Sequence, residues 1–254
     1  MPVRSRRRDH GRRGGSSGPT EPTQAYPAVV LDGAAYRRLL GRAETFYRRS
    51  AATLRTSSQH DQAEAAERFA AWVRFHLEDP HAARQMRAMT EDLRDATGLD
   101  QLLPRALERA MSLLAAERGN LQTLDPETGA LVIAAQHGFG DEFLEYFAEV
   151  RDDGATCGRA ASQQTQIVIA DVTADPGFAV HRDIAAASGF RAVQSTPLTD
   201  RAGRVVGVLS THYPCVHRPP DRELRIMRHY GEFLGNLITC YRRGTASAGL
   251  TAPD

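Results

Sequence analysis

The 254-residue chain is 41% hydrophobic and 25% charged, with a net charge of +1, which suits one or two globular domains with a filled core and excludes bulk electrostatic binding to nucleic acid or membrane. Every one of the 32 basic residues is arginine, so chemistry that needs a P-loop, Schiff-base or kinase lysine is excluded. No apolar run approaches the roughly 18 residues of a membrane span, no apolar stretch follows the Arg-rich start as in a signal peptide, and three widely spaced cysteines suit a reducing cytosol better than a disulfide framework.

Residues 1–33 open with an Arg, Gly, Ser and Pro-rich run too poor in apolar groups to repay its ordering entropy. It reads as a disordered tail, or as an arm that touches an acidic partner or nucleic acid through Arg4, Arg6, Arg7, Arg8, Arg12 and Arg13. Residues 34–96 read as a helical region. Tyr36, Leu39, Leu40, Ala43, Phe46, Tyr47 and Leu54 recur at helical steps over 34–54. A second helix spans 61–77, with Ala63, Ala66, Phe69, Ala70 and Val73 on one face, and ends at Asp79-Pro80. A third spans 81–95. Such thin apolar stripes cannot cover themselves, so a homodimer built by residues 36–93 is expected.

Thr97-Gly98 marks a boundary. Asp100 is expected to N-cap the next helix, with Pro104 in its first turn. Strands are expected over 120–124 and 131–136, joined by DPETG with Gly129 left-handed. A short amphipathic helix follows over 140–150, another over 157–163, a strand over 167–170, a loop over 173–180 and a helix over 181–187. Residues 191–213 form a hairpin turning at Asp200 to Gly203. Its second arm, Val205 to Leu209, is apolar on both faces, as only a strand covered on both sides can be in water. The hairpin is therefore the centre of a sheet. Pro219-Pro220-Asp221 starts a last helix carrying Leu224, Met227, Tyr230, Phe233, Leu234, Leu237 and Ile238 inward, and 244–254 is a polar tail.

Several residues bear on chemistry. Cys157 opens a short helix, where the N-terminus favours thiolate and a redox role; the alternative is an inert pocket-wall residue. His212, Cys215 and His217 have the types and spacing of a zinc site but lack a fourth ligand. Asp171 and Asp175 fit turn capping better than a catalytic pair. With Leu198 opposite Arg204, Gln194, Thr196, Ser210 and His212 share one face of the hairpin and place polar groups among valines. A slip of one residue would bring Ser195 and Thr211 there instead.

The segments GNLQTLDPETGALVIAAQHGF, TCGRAASQQTQIVIADVTADPGF and QSTPLTDRAGRVVGVLSTHY, with the element order around them, resemble the GAF domains of bacterial sensory histidine kinases and related signalling proteins over 97–243. The resemblance implies an α+β fold. An antiparallel sheet carries helices on both faces and is preceded here by the α-helical N-terminal region. It implies a non-catalytic cytosolic sensor that binds a small molecule or senses redox state. Dimer helices would pass the signal to a separate protein. The ligand site would lie between the hairpin and residues 140–187, lined by Phe147, Cys157, Phe178, Gln194, Thr196, Ser210 and His212. Missing lysine removes the Asn-Lys pair of the cyclic-nucleotide version. Cys157-Gly158 and Cys215-Val216 lack the Cys-His of bilin attachment, and the cysteine spacing departs from that of the methionine sulfoxide reductases of this fold. A haem would need His137 or His212 as axial ligand. No cofactor is identified. The alternatives are a thiol-dependent reductase using Cys157 and an interaction scaffold without a ligand.

Overall fold

The computed structural model describes residues 33–244. The Arg-rich tail and the end of the chain lie outside the described residues.

Three helices come first: α1 (Gly33–Thr56), α2 (His60–Glu78) and α3 (Pro80–Thr90). The third is shorter than its apolar spacing predicts, and Asp92–Asp95 is a 3-10 turn. Asp79 caps α3, its carboxylate accepting from the Ala82 N–H at 2.8 Å. Helix α4 (Leu99–Leu114) starts at an extended Gly98, not at Asp100. That start lies two residues earlier than expected. Pro104 therefore sits inside the helix, where its ring removes one backbone bond.

Strands β1 (Arg118–Leu124) and β2 (Leu131–His137) form a hairpin, with Gly129 at φ 70°. The predicted helix over 140–150 divides into α5 (Asp141–Tyr146) and a two-residue strand β3 (Glu149–Val150). Next come α6 (Thr156–Gln163), β4 (Ile167–Ile169), a 3-10 helix (Pro176–His181) where a loop was expected, and α7 (Arg182–Ala187). Strands β5 (Ala192–Thr199) and β6 (Val205–Tyr213) precede α8 (Asp221–Arg242). All strand pairs are antiparallel, in the order β3-β2-β1-β6-β5-β4. The expected hairpin thus lies inside the sheet, with β6 beside its midpoint and β5 next to the edge strand β4.

The register of that hairpin departs from expectation, with consequences for the site. Asp200 and Arg204 close the turn, their backbones bonded at 2.9 Å, and Gly203 adopts φ 77°. The Asp200 carboxylate locks the turn by accepting from the N–H groups of Ala202 and Arg204, each at 2.9 Å. Moving the closing pair from Leu198–Arg204 to Asp200–Arg204 shifts the pairing by two positions, which leaves every side chain on its expected face. A bulge then follows: Thr199 pairs with Val205 but Leu198 with Gly207. The one extra residue, Val206, turns β5 over relative to β6. Ser195 therefore faces Ser210, and Gln194 faces Thr211.

Helices α4 and α8 cover one face of the sheet. Leu102, Leu107, Leu121, Leu209, Ile226 and Leu234 are among the buried residues of that core. Helix α8 lies hard against β5. A Cβ on Gly231 would come within 2.5 Å of the Pro197 carbonyl oxygen, and one on Gly235 within 2.3 Å of that of Thr199. Tyr230 crosses this layer and donates its hydroxyl to the Ala106 carbonyl at 2.9 Å. The N-terminal helices join the same core. Phe75, Met86, Met89 and Leu93 are buried in it, Phe75 packs on His229 with ring centroids 4.6 Å apart, and Arg222 on α8 pairs with Asp79 at 3.0 Å. Helix α1 stays outside, where Leu39 and Phe46 are 53% and 65% exposed.

The second face is closed by α5, α6, the 3-10 helix and α7. Its core gathers Phe139, Phe143, Phe147, Phe178 and Phe190 around Val193 and Val208. No helix of the described residues is long and apolar enough to cross a membrane.

Candidate ligand cavity

Three central strands lay side chains on the second face in rows. In the middle row Asn120 on β1 faces Ser210 on β6, which faces Ser195 on β5. In the next row His212 lies opposite Val193. The cover opposes these rows with Phe143 and Phe147 from the α5 segment, Thr156 and Cys157 from α6, and Phe178 and Phe190. Together these residues, with Ala155, line a cavity of about 20 Å³, room for about one water-sized group.

The two serine hydroxyls satisfy each other, Oγ to Oγ at 2.7 Å. Asn120 Oδ1, Thr156 Oγ1 and His212 Nδ1 are buried with no protein partner. Such groups each cost about 1–3 kcal/mol unless something else bonds them. The His212 imidazole sits edge-on to Phe139 and Phe190, at centroid distances of 4.9 and 4.6 Å. Burial, and secondarily the Arg118 guanidinium, push its pKa down to about 3, so the ring is neutral at physiological pH.

Of the seven residues expected to line a ligand site, Phe147, Cys157, Phe178, Ser210 and His212 come together here. Gln194 and Thr196 do not. The bulge at Val206 carries both to the face covered by α4 and α8, where Gln194 Nε2 contacts Thr196 Oγ1 at 3.5 Å. Ser195 takes the place expected for them. Asn120 and Thr156 were not anticipated; the signal for Asn120 was an amide at an inward position of a strand, shared with Gln122, but its row depends on the β1–β6 register.

Of the two readings of Cys157, its surroundings favour the pocket wall over the redox role. It lies in the first turn of α6, yet burial dominates over the helix N-terminus and pushes its thiol up to about 11. Cys215 is exposed and Cys240 half-buried. His212, Cys215 and His217 do not converge: His217 stacks on Tyr213 at 3.8 Å while His212 faces the cavity. Among the described residues no group of three or more His, Cys, Asp or Glu is placed to hold a metal ion. Of the two axial-ligand candidates His137 is exposed at the end of β2 and His212 buried among phenyl rings, and no cofactor is assigned. Asp171 serves its turn, accepting from the Thr173 N–H and hydroxyl and pairing with Arg191 at 2.9 Å, and these donors hold its carboxyl well below the usual range. Asp175 lies 3.6 Å from Arg159.

The fold matches those of known proteins. The GAF domain of a phosphoenolpyruvate-protein phosphotransferase from Coxiella burnetii superposes with a TM-score of 0.57 at 18% identity, covering 66% of this chain and 98% of that one. Free methionine-R-sulfoxide reductase from Neisseria meningitidis, solved with its substrate, gives 0.54 at 18% identity over 64% and 91%. The GAF domain of an Acinetobacter phosphoenolpyruvate-protein phosphotransferase gives 0.54 at 12% identity over 64% and 96%. At these identities the likeness shows the fold. No curated protein matches the chain. The family model of the GAF domain matches residues 98–238, more than half of the sequence, and the chain belongs to the GAF domain family.

Proposed function

We propose that this chain is a non-catalytic sensor that binds a small molecule in the cavity between the β1–β6–β5 rows and the α5–α6 cover. The carrying observation is the set of buried polar atoms on Asn120, Thr156 and His212 without a protein partner. A ligand that bonds them satisfies groups that no protein atom satisfies. Short covering elements open at lower free energy than the long helices opposite, which gives a ligand its route in. Ordering of that cover biases β5, and β5 is keyed to α8 through Gly231 and Gly235. Helix α8 contacts α3, so the signal reaches the N-terminal helices.

The exposed Tyr36, Leu39, Phe46, Phe69 and Trp72 on α1 and α2 support a homodimer through these helices and an output read by a separate protein, placed in the cytoplasm. The thiol-reductase alternative is disfavoured by the burial and high pKa of Cys157. Thermal denaturation of the full chain against a metabolite library tests the reading. Compounds that raise Tm without being turned over in the presence of a reductant support it. If no compound raises Tm, the scaffold reading replaces it; turnover would establish the enzyme. Sedimentation at tens of micromolar checks the dimer, and a monomer there removes it.

A further inference from the structure

The chemical character of the cavity narrows what it accepts. None of its lining side chains carries a formal charge at neutral pH: they are asparagine, serine, threonine, cysteine, a neutral histidine and apolar groups. Charged groups flank the cavity without lining it. Arg118 donates to the Gly189 carbonyl at 3.3 Å, and Arg159 lies 3.6 Å from Asp175. An anion or ammonium ion entering here would lose its hydration with no charged side chain in the lining to replace it. A purely apolar guest would leave the three polar atoms as they are.

The walls specify shape as well. Phe143, Phe147, Phe178 and Phe190 line the cavity, and Phe143 lies flat on Phe139 with centroids 3.6 Å apart and planes at 7°. Surfaces of this kind accept a flat ring, which gains stacked and edge-to-face contacts beyond its buried area. The polar atoms specify an edge. Asn120 Oδ1 is an acceptor and calls for an N–H or O–H. The Thr156 hydroxyl donates or accepts, and so does Nδ1 of a neutral imidazole according to its tautomer. One donor and one acceptor on the same edge of a ring meet that set, which describes a carboxamide or a ring lactam. One pair along β1 on the same face, Gln122 is also fully buried with neither amide atom bonded, a second neutral amide in the same wall.

We infer that the site selects a small, uncharged aromatic or heteroaromatic amide or lactam, with Asn120 and Thr156 reading its polar edge and the phenylalanines holding its ring. This rests on the proposal that the cavity binds a ligand. Because about 20 Å³ holds no such ring, the cover formed by α5 and α6 moves outward on binding, and the ring takes its place against the phenylalanines.

Nicotinamide and nicotinate test it, since they share a ring and differ in charge. With the full chain at neutral pH and millimolar probe, nicotinamide raises Tm by about 2–4 °C and nicotinate leaves it unchanged. Toluene, the apolar control, gives a smaller shift than nicotinamide. Thr156→Val and Asn120→Leu each weaken nicotinamide at least about tenfold in calorimetric titration, the loss of one hydrogen bond of about 1.4 kcal/mol; Thr156→Val keeps the side-chain shape and so guards against misfolding. Equal or stronger binding of nicotinate, or binding that both variants leave intact, overturns the inference. If neither probe binds but a charged library compound does, and Thr156→Val abolishes it, the selectivity is wrong and the sensor reading stands. If nothing binds at all, both fall.

Discussion

The two faces of the sheet are built from the same strands and covered in opposite ways. On the α4–α8 face, two long helices lie close enough that Gly231 and Gly235 meet strand backbone directly. The side chains there are mostly aliphatic; Tyr230 is satisfied by Ala106, and Gln194, which contacts Thr196, leaves only its Oε1 unbonded. On the other face, helices of six and eight residues and a two-residue strand close over phenylalanines and unbonded polar atoms. A face packed by long elements fixes the fold, and one closed by short elements stays open to exchange.

Chemical labelling breaks this comparison most directly, through Cys157. With its thiol near 11, on the order of 0.1% is thiolate at pH 8, and burial slows attack further. Cys215 alkylates first and Cys157 lags by on the order of a hundredfold, read by peptide mass spectrometry. If Cys157 led, the cover would be open most of the time.

Next in size is Gly235→Ala. A methyl directed at strand backbone has no flexible neighbour to displace, so the variant loses about 2–3 kcal/mol in urea unfolding. Tolerance of it would mean that α8 is not keyed to β5.

His212 gives a comparable effect with a defined sign. Its folded pKa, about 3, lies below the unfolded value near 6.5, so the unfolded chain binds the extra proton. Stability is full above about pH 6.5 and falls as pH drops toward 3, by about 2 kcal/mol between pH 7.5 and 5. His76 and His181, also lowered chiefly by burial, act in the same direction. His212→Phe therefore flattens the acid limb of a stability–pH curve in part; an unchanged limb would show that His212 is solvated.

The smallest effect is the most discriminating between faces. Gln194→Leu removes a buried Oε1 that has no partner on the α4–α8 face, so it changes stability by about 1 kcal/mol or less and leaves the ligand response intact. Ser210→Val, which breaks the Ser195–Ser210 bond inside the cavity, weakens that response. Equal effects of the two would return Gln194 to the cavity.

Much of this was legible in the residues. The two-sided apolar run from Val205 to Leu209 marks the sheet centre because alternation disappears only where both faces are covered. The stripe from Leu102 to Leu114 and that of α8 mark the long cover, since a 3.6-residue period survives over many turns. The site was half legible. Ser210 and His212 follow from the parity of β6, whereas the partners from β5 hinge on the bulge at Val206. That bulge reverses every side chain of one strand and leaves no trace in hydropathy. The redox reading of Cys157 weakens for a different reason. The dipole of a short helix is visible in its first residue, but the desolvation that outweighs it comes from phenylalanines distant in the chain.

The stitching of α2 and α3 onto α8 bears on how portable this sensor is. The family match begins at residue 98, which suggests a module to be cut or grafted there. Such a cut would strip Phe75, Met86, Met89 and Leu93 from a core they share with α4 and α8, and would leave Arg222 without Asp79. The transplant would carry a bare greasy flank on the face that makes the fold rigid. A graft made instead in the turn after α1, at residues 57–59, keeps Phe75, Met86, Met89 and Leu93 with the core they share and leaves behind the helix whose Leu39 and Phe46 are exposed.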